Sequence, residues 1–226
     1  MGVLIGTFDP IHHNHLSMAR HATRALSLDT VLFVPTGTPS HRDPAGVSAA
    51  SDRCAMVRLA VSDERRFALS TVDATRLRPT YTVDTLRDLR EDIGARAELF
   101  LIIGADNLAT LPRWRESTEL PRLAHIVGSP RRGHRLTDPG LPAGRLTLLR
   151  LRHEDISATE IRRCVRDGRA VHHLTPEPVA WYVREHALYG ADPLAGACGM
   201  AAPRSSSARA IASACRSRPD SLSIDA

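Results

Sequence analysis

Apolar positions along the first 190 residues switch repeatedly between two periods. Short, nearly continuous apolar runs predict strands at Val3–Gly6, Thr30–Pro35, Phe67–Val72, Ala97–Ile103, His125–Ser129 and Arg145–Leu151. Between them, spacings of three and four predict helices over His13–Leu28, Ser51–Val61, Val83–Ile93, Ser157–Asp167 and Thr175–Leu188. Leu16, Ala19, Ala22 and Leu26 form the apolar stripe of the first helix; Val83, Leu86, Leu89 and Ile93 form that of the third. Ser157 and Glu160 have the spacing of a capping box, and Pro176 stands in the first turn of the last helix. A Gly/Pro/Ser-rich loop runs from Pro35 to about Ala45, and a short helix and turn fill Asp106–Leu123.

Strands alternating with helices predict right-handed βαβ units. The fold class expected is α/β: a Rossmann-like, mostly parallel sheet with helices on both faces. Near-continuous apolar strands fit a sheet covered on both sides. Ligands of such sheets bind beyond the carboxyl ends of the strands.

The pattern stops near residue 190. Residues 191–226 hold ten Ala, seven Ser and no aromatic residue. Such a segment has little apolar surface to set against its ordering entropy, so residues 1–190 are read as one domain and 191–226 as a tail.

Composition narrows the function more than it narrows the fold. The chain has 226 residues, 42% hydrophobic and 24% charged, enough to bury a large core. All 30 basic residues are arginine, against 25 acidic residues, for a net charge of +5. Lysine Schiff-base chemistry is thereby excluded. The arginines are scattered, which is poor support for a nucleic-acid partner and suits phosphate or carboxylate ligands. Cys54, Cys164, Cys198 and Cys215 form no CxxC, which speaks against a zinc knuckle or a disulfide scaffold. No apolar stretch approaches the roughly 20 residues of a membrane span, and Val3-Leu4-Ile5 follows no basic segment, so a cytoplasmic, membrane-free protein is expected.

Three polar clusters follow predicted strand ends. In Gly6-Thr7-Phe8-Asp9-Pro10-Ile11-His12-His13-Asn14-His15, Gly6 permits close approach of a ligand. The helix start offers free N–H groups to a phosphate. His12 and His15 project to one side, where two imidazoles could hydrogen-bond phosphoryl oxygens; alternatively they are ordinary surface or core histidines, or two zinc ligands lacking a third. In Ile156-Ser157-Ala158-Thr159-Glu160-Ile161-Arg162, two hydroxyls and an arginine surround another helix start, which is equally readable as a capped helix with a solvated arginine. In Gly104-Ala105-Asp106, the carboxylate either takes ribose hydroxyls or caps a helix. Trp114 is either core or a stacking plate for a flat ring.

Taken together, GTFDPIHxxH and ISATEIR resemble the two signatures of the HxGH nucleotidylyltransferases. PTYTVDTL (79–86) and LIIGADNLATLPRW (101–114) resemble the nicotinate-mononucleotide adenylyltransferases in particular. The resemblance runs through about residues 2–189. It implies transfer of AMP from ATP to nicotinate mononucleotide, giving nicotinate adenine dinucleotide and pyrophosphate in NAD biosynthesis. The acceptor's own 5′-phosphate is the nucleophile, and Mg2+ accompanies ATP, with no protein metal site.

Carried over residue by residue, His12, His15 and Arg162 become the catalytic set. Gly6, Thr7, Phe8, Arg42, Gly104, Asp106, Ser157, Thr159 and Arg162 bind ATP, and Thr82, Trp114 and Arg115 hold the acceptor. The chain departs from the pattern at Ile5, Asn14 and Ala158, where the family has Gly, Gly and Ser, and Arg42 replaces a lysine. Ile5 either intrudes on the nucleotide or packs into the sheet core, and Asn14 suits a positive φ. Three other readings compete. One is a transferase for phosphopantetheine or an alcohol phosphate, disfavoured by Trp114 and the TYTVDTL segment. The second is a tRNA-synthetase-like protein, disfavoured by the absence of lysine and the short length. The last is a non-catalytic or impaired member, motivated by Ile5 and Asn14.

Overall fold

The computed structural model describes residues 1–39, 46–76, 78–94, 97–150 and 156–191. Arg42 and residues 192–226 of the expected tail lie outside the described residues. The elements, in order, are β1 (Gly2–Gly6), α1 (His13–Ala25), β2 (Val31–Pro35), β3 (Thr38–Pro39), α2 (Ala50–Val61), β4 (Phe67–Leu69), β5 (Pro79–Thr80), α3 (Thr82–Ile93), β6 (Phe100–Gly104), α4 (Ala105–Thr110), α5 (Leu120–Leu123), β7 (His125–Ser129), β8 (Leu146–Leu148), α6 (Ala158–Arg166) and α7 (Glu177–Glu185).

Among the described residues the main sheet has six strands in the order β4-β2-β1-β6-β7-β8, every pair parallel. The order reverses between β1 and β6, and the crevice there opens at the carboxyl ends of both strands, as expected for ligand binding in an open α/β sheet. Alternation along the strands divides the core in two. Leu4, Phe33, Ile102 and Val127 face the side covered by α1, α2, α6 and α7. Val3, Val34, Leu101, Ile103 and Ile126 face the side covered by α3, α4 and α5.

The expected α/β class is therefore found, with differences at element ends. The first helix stops at Ala25 rather than Leu28. Ser27 adopts a left-handed φ of 50°, and the Leu28 N–H returns to the Thr23 carbonyl at 3.0 Å, dropping Leu28 into the core. The last helix likewise ends at Glu185, before the left-handed Ala187. The strand expected over Phe67–Val72 is only Phe67–Leu69, and that expected from Ala97 begins at Phe100. Arg145–Leu151 contributes only Leu146–Leu148. The loop after β2 contains β3, which pairs in parallel with β5 in a separate two-stranded ribbon. A proline in each of these two-residue strands hid them from periodicity.

The turn after β2 is held by close backbone packing. A Cβ on Gly37 would collide with the carbonyl oxygen of Asp73, whereas Gly46 has open space around it. Gly37→Ala is expected to cost about 1–3 kcal/mol through overpacking, read as a lowered melting temperature. Gly46→Ala should be neutral or stabilising, by up to about 1 kcal/mol. Equal melting of the two variants would contradict this packing.

Candidate active site

A cavity of about 590 Å³ lies over the strand-order reversal. Its lining includes Gly6, Thr7, Phe8, His12 and His15 from the β1–α1 connection, and Ser157, Ala158 and Thr159 from the start of α6. Gly104 and Asp106 line it from the β6–α4 junction, and Thr82, Trp114 and Arg115 at another wall. Apart from Arg42 and Arg162, every residue expected at the site shares this one cavity.

The first turn of α1 arranges the histidines. Their rings stack with centroids 3.7 Å apart, and the backbone N–H of His12 donates to His15 Nδ1 at 3.3 Å. With Nδ1 accepting, the neutral His15 ring carries its proton on Nε2. Loss of water, aided by the charge of Arg131, drives the His15 pKa down to about 3. The imidazole is neutral at physiological pH and acts as a hydrogen-bond donor rather than a cation.

Phe8 takes a left-handed φ of 51°, and its ring is buried against His15 and Phe33. The ring therefore belongs to the core and supports His15. A Cβ on Gly6 would press on this ring at 3.1 Å. Asn14 lies inside α1 and is not among the residues with positive φ, so its position makes no use of glycine's freedom. Ile5 is half-buried: it packs against the α3–α5 side of the core and also borders the cavity.

At α6 the Ser157 hydroxyl accepts from the Glu160 N–H at 3.2 Å, the forward half of the expected capping box. Arg162 is not part of the cavity lining. It donates to the Asp9 carbonyl at 2.7 Å and to Thr159 Oγ1 at 3.3 Å, tying α6 to the β1–α1 loop. At the β6–α4 junction the Asp106 carboxylate folds back so closely that a Cβ on Gly104 would lie 2.7 Å from Oδ1. Asp106 Oδ2 accepts from Arg131 at 2.8 Å, and Oδ1 is a buried acceptor with no protein partner. At the opposite wall Trp114 is half-buried with Nε1 bonded to Thr110, and the Arg115 guanidinium lies 4.7 Å from the Tyr81 ring centroid.

Several lining residues escaped the motif reading. Arg131 lies just beyond the carboxyl end of β7, where the strand-end rule could have pointed to it. Thr36 and Thr80 present buried hydroxyls without a protein partner. Asp73 is buried, accepts from the Thr85 hydroxyl at 2.8 Å and pairs with Arg76 at 3.2 Å. Burial raises its pKa to about 6, against the opposing pull of Thr85 and Arg76. No local sequence signal distinguishes Thr36 or Asp73 from ordinary loop residues, whereas Thr80 lies within the PTYTVDTL segment. Among the described residues no group of three or more His, Cys, Asp or Glu could hold a metal ion. No helix there is long and apolar enough to cross a membrane.

The cytidylyltransferase-like family model matches residues 3–164. A Streptomyces coelicolor protein named "Probable nicotinate-nucleotide adenylyltransferase" is 47% identical over 184 residues, covering 81% of this chain and 97% of its own. An Acidothermus cellulolyticus protein of the same name is 43% identical over 194 residues, covering 84% and 93%. This chain belongs to the nicotinate-nucleotide adenylyltransferase family. The fold agrees: Plasmodium falciparum nicotinic acid mononucleotide adenylyltransferase complexed with NaAD superimposes with a TM-score of 0.70 at 14% identity, over 83% of this chain and 96% of that one. The family match ends inside α6, so the cavity's contributing elements, from β1 to the start of that helix, all fall within it.

Two buried groups should shape the acid limb of stability in opposite directions. His15 has a folded pKa below its unfolded value of 6.5, so its contribution is lost as pH falls from about 6.5 toward 3. Asp73 has a folded pKa above 3.8, so its unfavourable burial is relieved as pH falls from about 6 toward 4. His15→Asn should flatten the acid-side slope by roughly 1 kcal/mol per pH unit, and Asp73→Asn should steepen it. Melting temperatures between pH 7 and 4 check both signs.

Proposed function

We propose that this enzyme transfers AMP from ATP to nicotinate mononucleotide, giving nicotinate adenine dinucleotide and pyrophosphate in NAD biosynthesis. The observation that carries the reading is the single cavity holding both a phosphate-suited wall and an aromatic wall. Homologues bearing the nicotinate-nucleotide adenylyltransferase name, and a structural neighbour described as complexed with NaAD, agree with it.

In this reading an oxygen of the acceptor's 5′-phosphate attacks the α-phosphorus of ATP in line. The bond from the α-phosphorus to the bridging oxygen breaks, and pyrophosphate leaves with that electron pair. No enzyme nucleophile takes part, and catalysis consists of positioning and charge stabilisation. His15, with Nδ1 engaged by the His12 N–H, donates from Nε2 to a phosphoryl oxygen as charge builds there, with His12 beside it. Being neutral, it adds no repulsion to Arg131. Gly6, Thr7 and the backbone of Phe8 border the phosphates; Ser157 and Thr159 add hydroxyls at the start of α6. Arg162 acts as a catalytic support by holding Thr159 and the Asp9 carbonyl, and Arg42 completes the ATP set by resemblance. Gly104 admits ribose close to Asp106, whose Oδ1 is ready to accept a hydroxyl.

Trp114 stacks on the pyridine ring, and backbone N–H groups at Thr82 and Arg115 receive its carboxylate. The donors around the phosphate wall include N–H, hydroxyl and imidazole groups, which suits a Mg2+ ion held mainly by phosphate oxygens and water. When bound, the ion neutralises triphosphate charge. The buried, free thiols of Cys54 and Cys164 accord with a reducing cytoplasmic setting.

Pyrophosphate release with ATP and, in turn, nicotinate mononucleotide, nicotinamide mononucleotide and phosphopantetheine tests the assignment. The acid nucleotide should be preferred over the amide by up to about 10⁴ in kcat/KM, because donors that suit a carboxylate are left facing an NH₂ group. Turnover with phosphopantetheine and none with the acid nucleotide would overturn it. His15→Ala should lower kcat by about 10²–10³, the scale of one lost transition-state donor, measured well below the variant's own melting transition because its packing on Phe8 and His12 is lost too. Trp114→Ala should raise KM for acid and amide alike while preserving their ratio, since both rings present the same π-face.

A further inference from the structure

Tyr189 has no part in the chemistry above, yet it reaches the loop that builds the phosphate wall. Its hydroxyl donates to Asp9 Oδ1 at 2.6 Å, across 180 residues of chain. Burial first, and the Asp9 carboxylate second, push the phenol pKa upward, so the group is a donor throughout the neutral range. The backbone accepts left-handed conformations at Ala187 (φ 48°) and at Tyr189 itself (φ 58°) to bring the ring there. Both are non-glycine residues in a region that L side chains rarely adopt.

Asp9 is 2% exposed and accepts two further hydrogen bonds, and its loop is tied at one more point. Its Oδ2 accepts from the Ser48 N–H at 3.4 Å, its main-chain carbonyl accepts from Arg162 at 2.7 Å, and its neighbour Thr7 is fixed through its own carbonyl by Arg53 at 2.9 Å. Asp9 follows Phe8, whose ring backs His15, and precedes the His12–His15 turn by three residues. A displacement of Asp9 therefore moves the stretch that lines the phosphate wall.

We propose that Tyr189 is a positioning residue for the nucleotide triphosphate: acting through Asp9, its hydroxyl fixes the Gly6–Pro10 loop and the histidine pair against the phosphates. The kinetic part of this inference rests on the adenylyl-transfer reading; the binding part rests only on a triphosphate nucleotide occupying the cavity. The ring itself packs against the core beside Met56, so Tyr189→Phe keeps the packing and removes only the hydroxyl.

In the full-length protein, Tyr189→Phe should weaken binding of a non-hydrolysable ATP analogue, measured by calorimetry, about ten-fold, the scale of a lost hydrogen bond to a charged group. KM for ATP should rise with it. KM for nicotinate mononucleotide should stay within about two-fold, because the aromatic wall is held by other contacts: Tyr81 by Thr85 and Arg115, and Trp114 by Thr110. Asp9→Ala should show the same pattern, and the double variant should be no worse than Asp9→Ala alone. Unchanged analogue affinity in Tyr189→Phe, or additive losses in the double variant, overturns the proposal. So does a lowered melting temperature with the analogue Kd, kcat and both KM values intact, the signature of a merely structural role.

If Tyr189→Phe does not fold, Asp9→Asn and Asp9→Ala make the same comparison with the tyrosine present. Asparagine keeps an acceptor at Oδ1 and must retain affinity that alanine loses; equal losses overturn the inference. A wild-type protein that binds the analogue but releases no pyrophosphate with the acid nucleotide would remove the acceptor assignment and leave the Tyr189 test standing.

Discussion

The guanidinium of Arg53 is the fixed point of the cavity wall. It is 1% exposed, on the first turn of α2, and spends its donors on three backbone carbonyls: Thr7 at 2.9 Å, Gly37 at 2.8 Å and Ser48 at 3.0 Å. Those carbonyls belong to the connections after β1, after β2 and before α2. None of the three segments has a regular ladder to satisfy its backbone there, and the single planar fork serves all of them. Burial lowers the guanidinium pKa, and Asp9 is among the charges that offset this. A buried cation is costly without partners, so the arrangement is stable only as a set: removing any carbonyl or the carboxylate leaves an expensive remainder.

From this fixed point the polar order runs outward to the site. The Ser48 peptide links Arg53 to Asp9, Asp9 is gripped by Tyr189 and Arg162, and Arg162 reaches Thr159. The far wall is organised separately. There the Asp73 carboxylate anchors Thr85 in the first turn of α3, and Arg115 lies over Tyr81. Nucleotide phosphates and acceptor ring would thus meet surfaces with largely separate polar supports, which touch where Gly37, bonded to Arg53, packs against the Asp73 carbonyl.

Most of the fold was legible because its strands are short apolar runs and its helices carry clear stripes, a pattern a parallel sheet imposes on its sequence. What escaped had competing physics. The Leu28 position looks helical by spacing but is pulled away by burial, and β3 and β5 each contain a proline. The cavity was legible as clusters after strand ends, and Gly6, His15, Asp106, Ser157 and Trp114 all face it. Arg53 was not: among Cys54, Ala55, Met56 and Val57 it reads as a stray charge, and its partners are backbone atoms that leave no mark in a sequence. Tyr189 escaped for a related reason, since its partner Asp9 lies 180 residues away in the sequence. Phe8 was read as nucleotide-facing, but its side chain is committed to the core and leaves only the backbone at the cavity.

The tie between the β1–α1 loop and residues Arg162 and Tyr189 has a consequence for synthesis on the ribosome. The β1–α1 loop emerges first, yet the groups that hold it, Arg162 and Tyr189, emerge more than a hundred residues later. Until then Asp9 has neither of those partners, and the phosphate wall lacks the hydroxyls of α6. A chain that ends before those residues lacks both of these ties on the loop, however much of the sheet it contains. Among the described residues, closure of that wall thus comes with Arg162 and Tyr189, late in the order of synthesis.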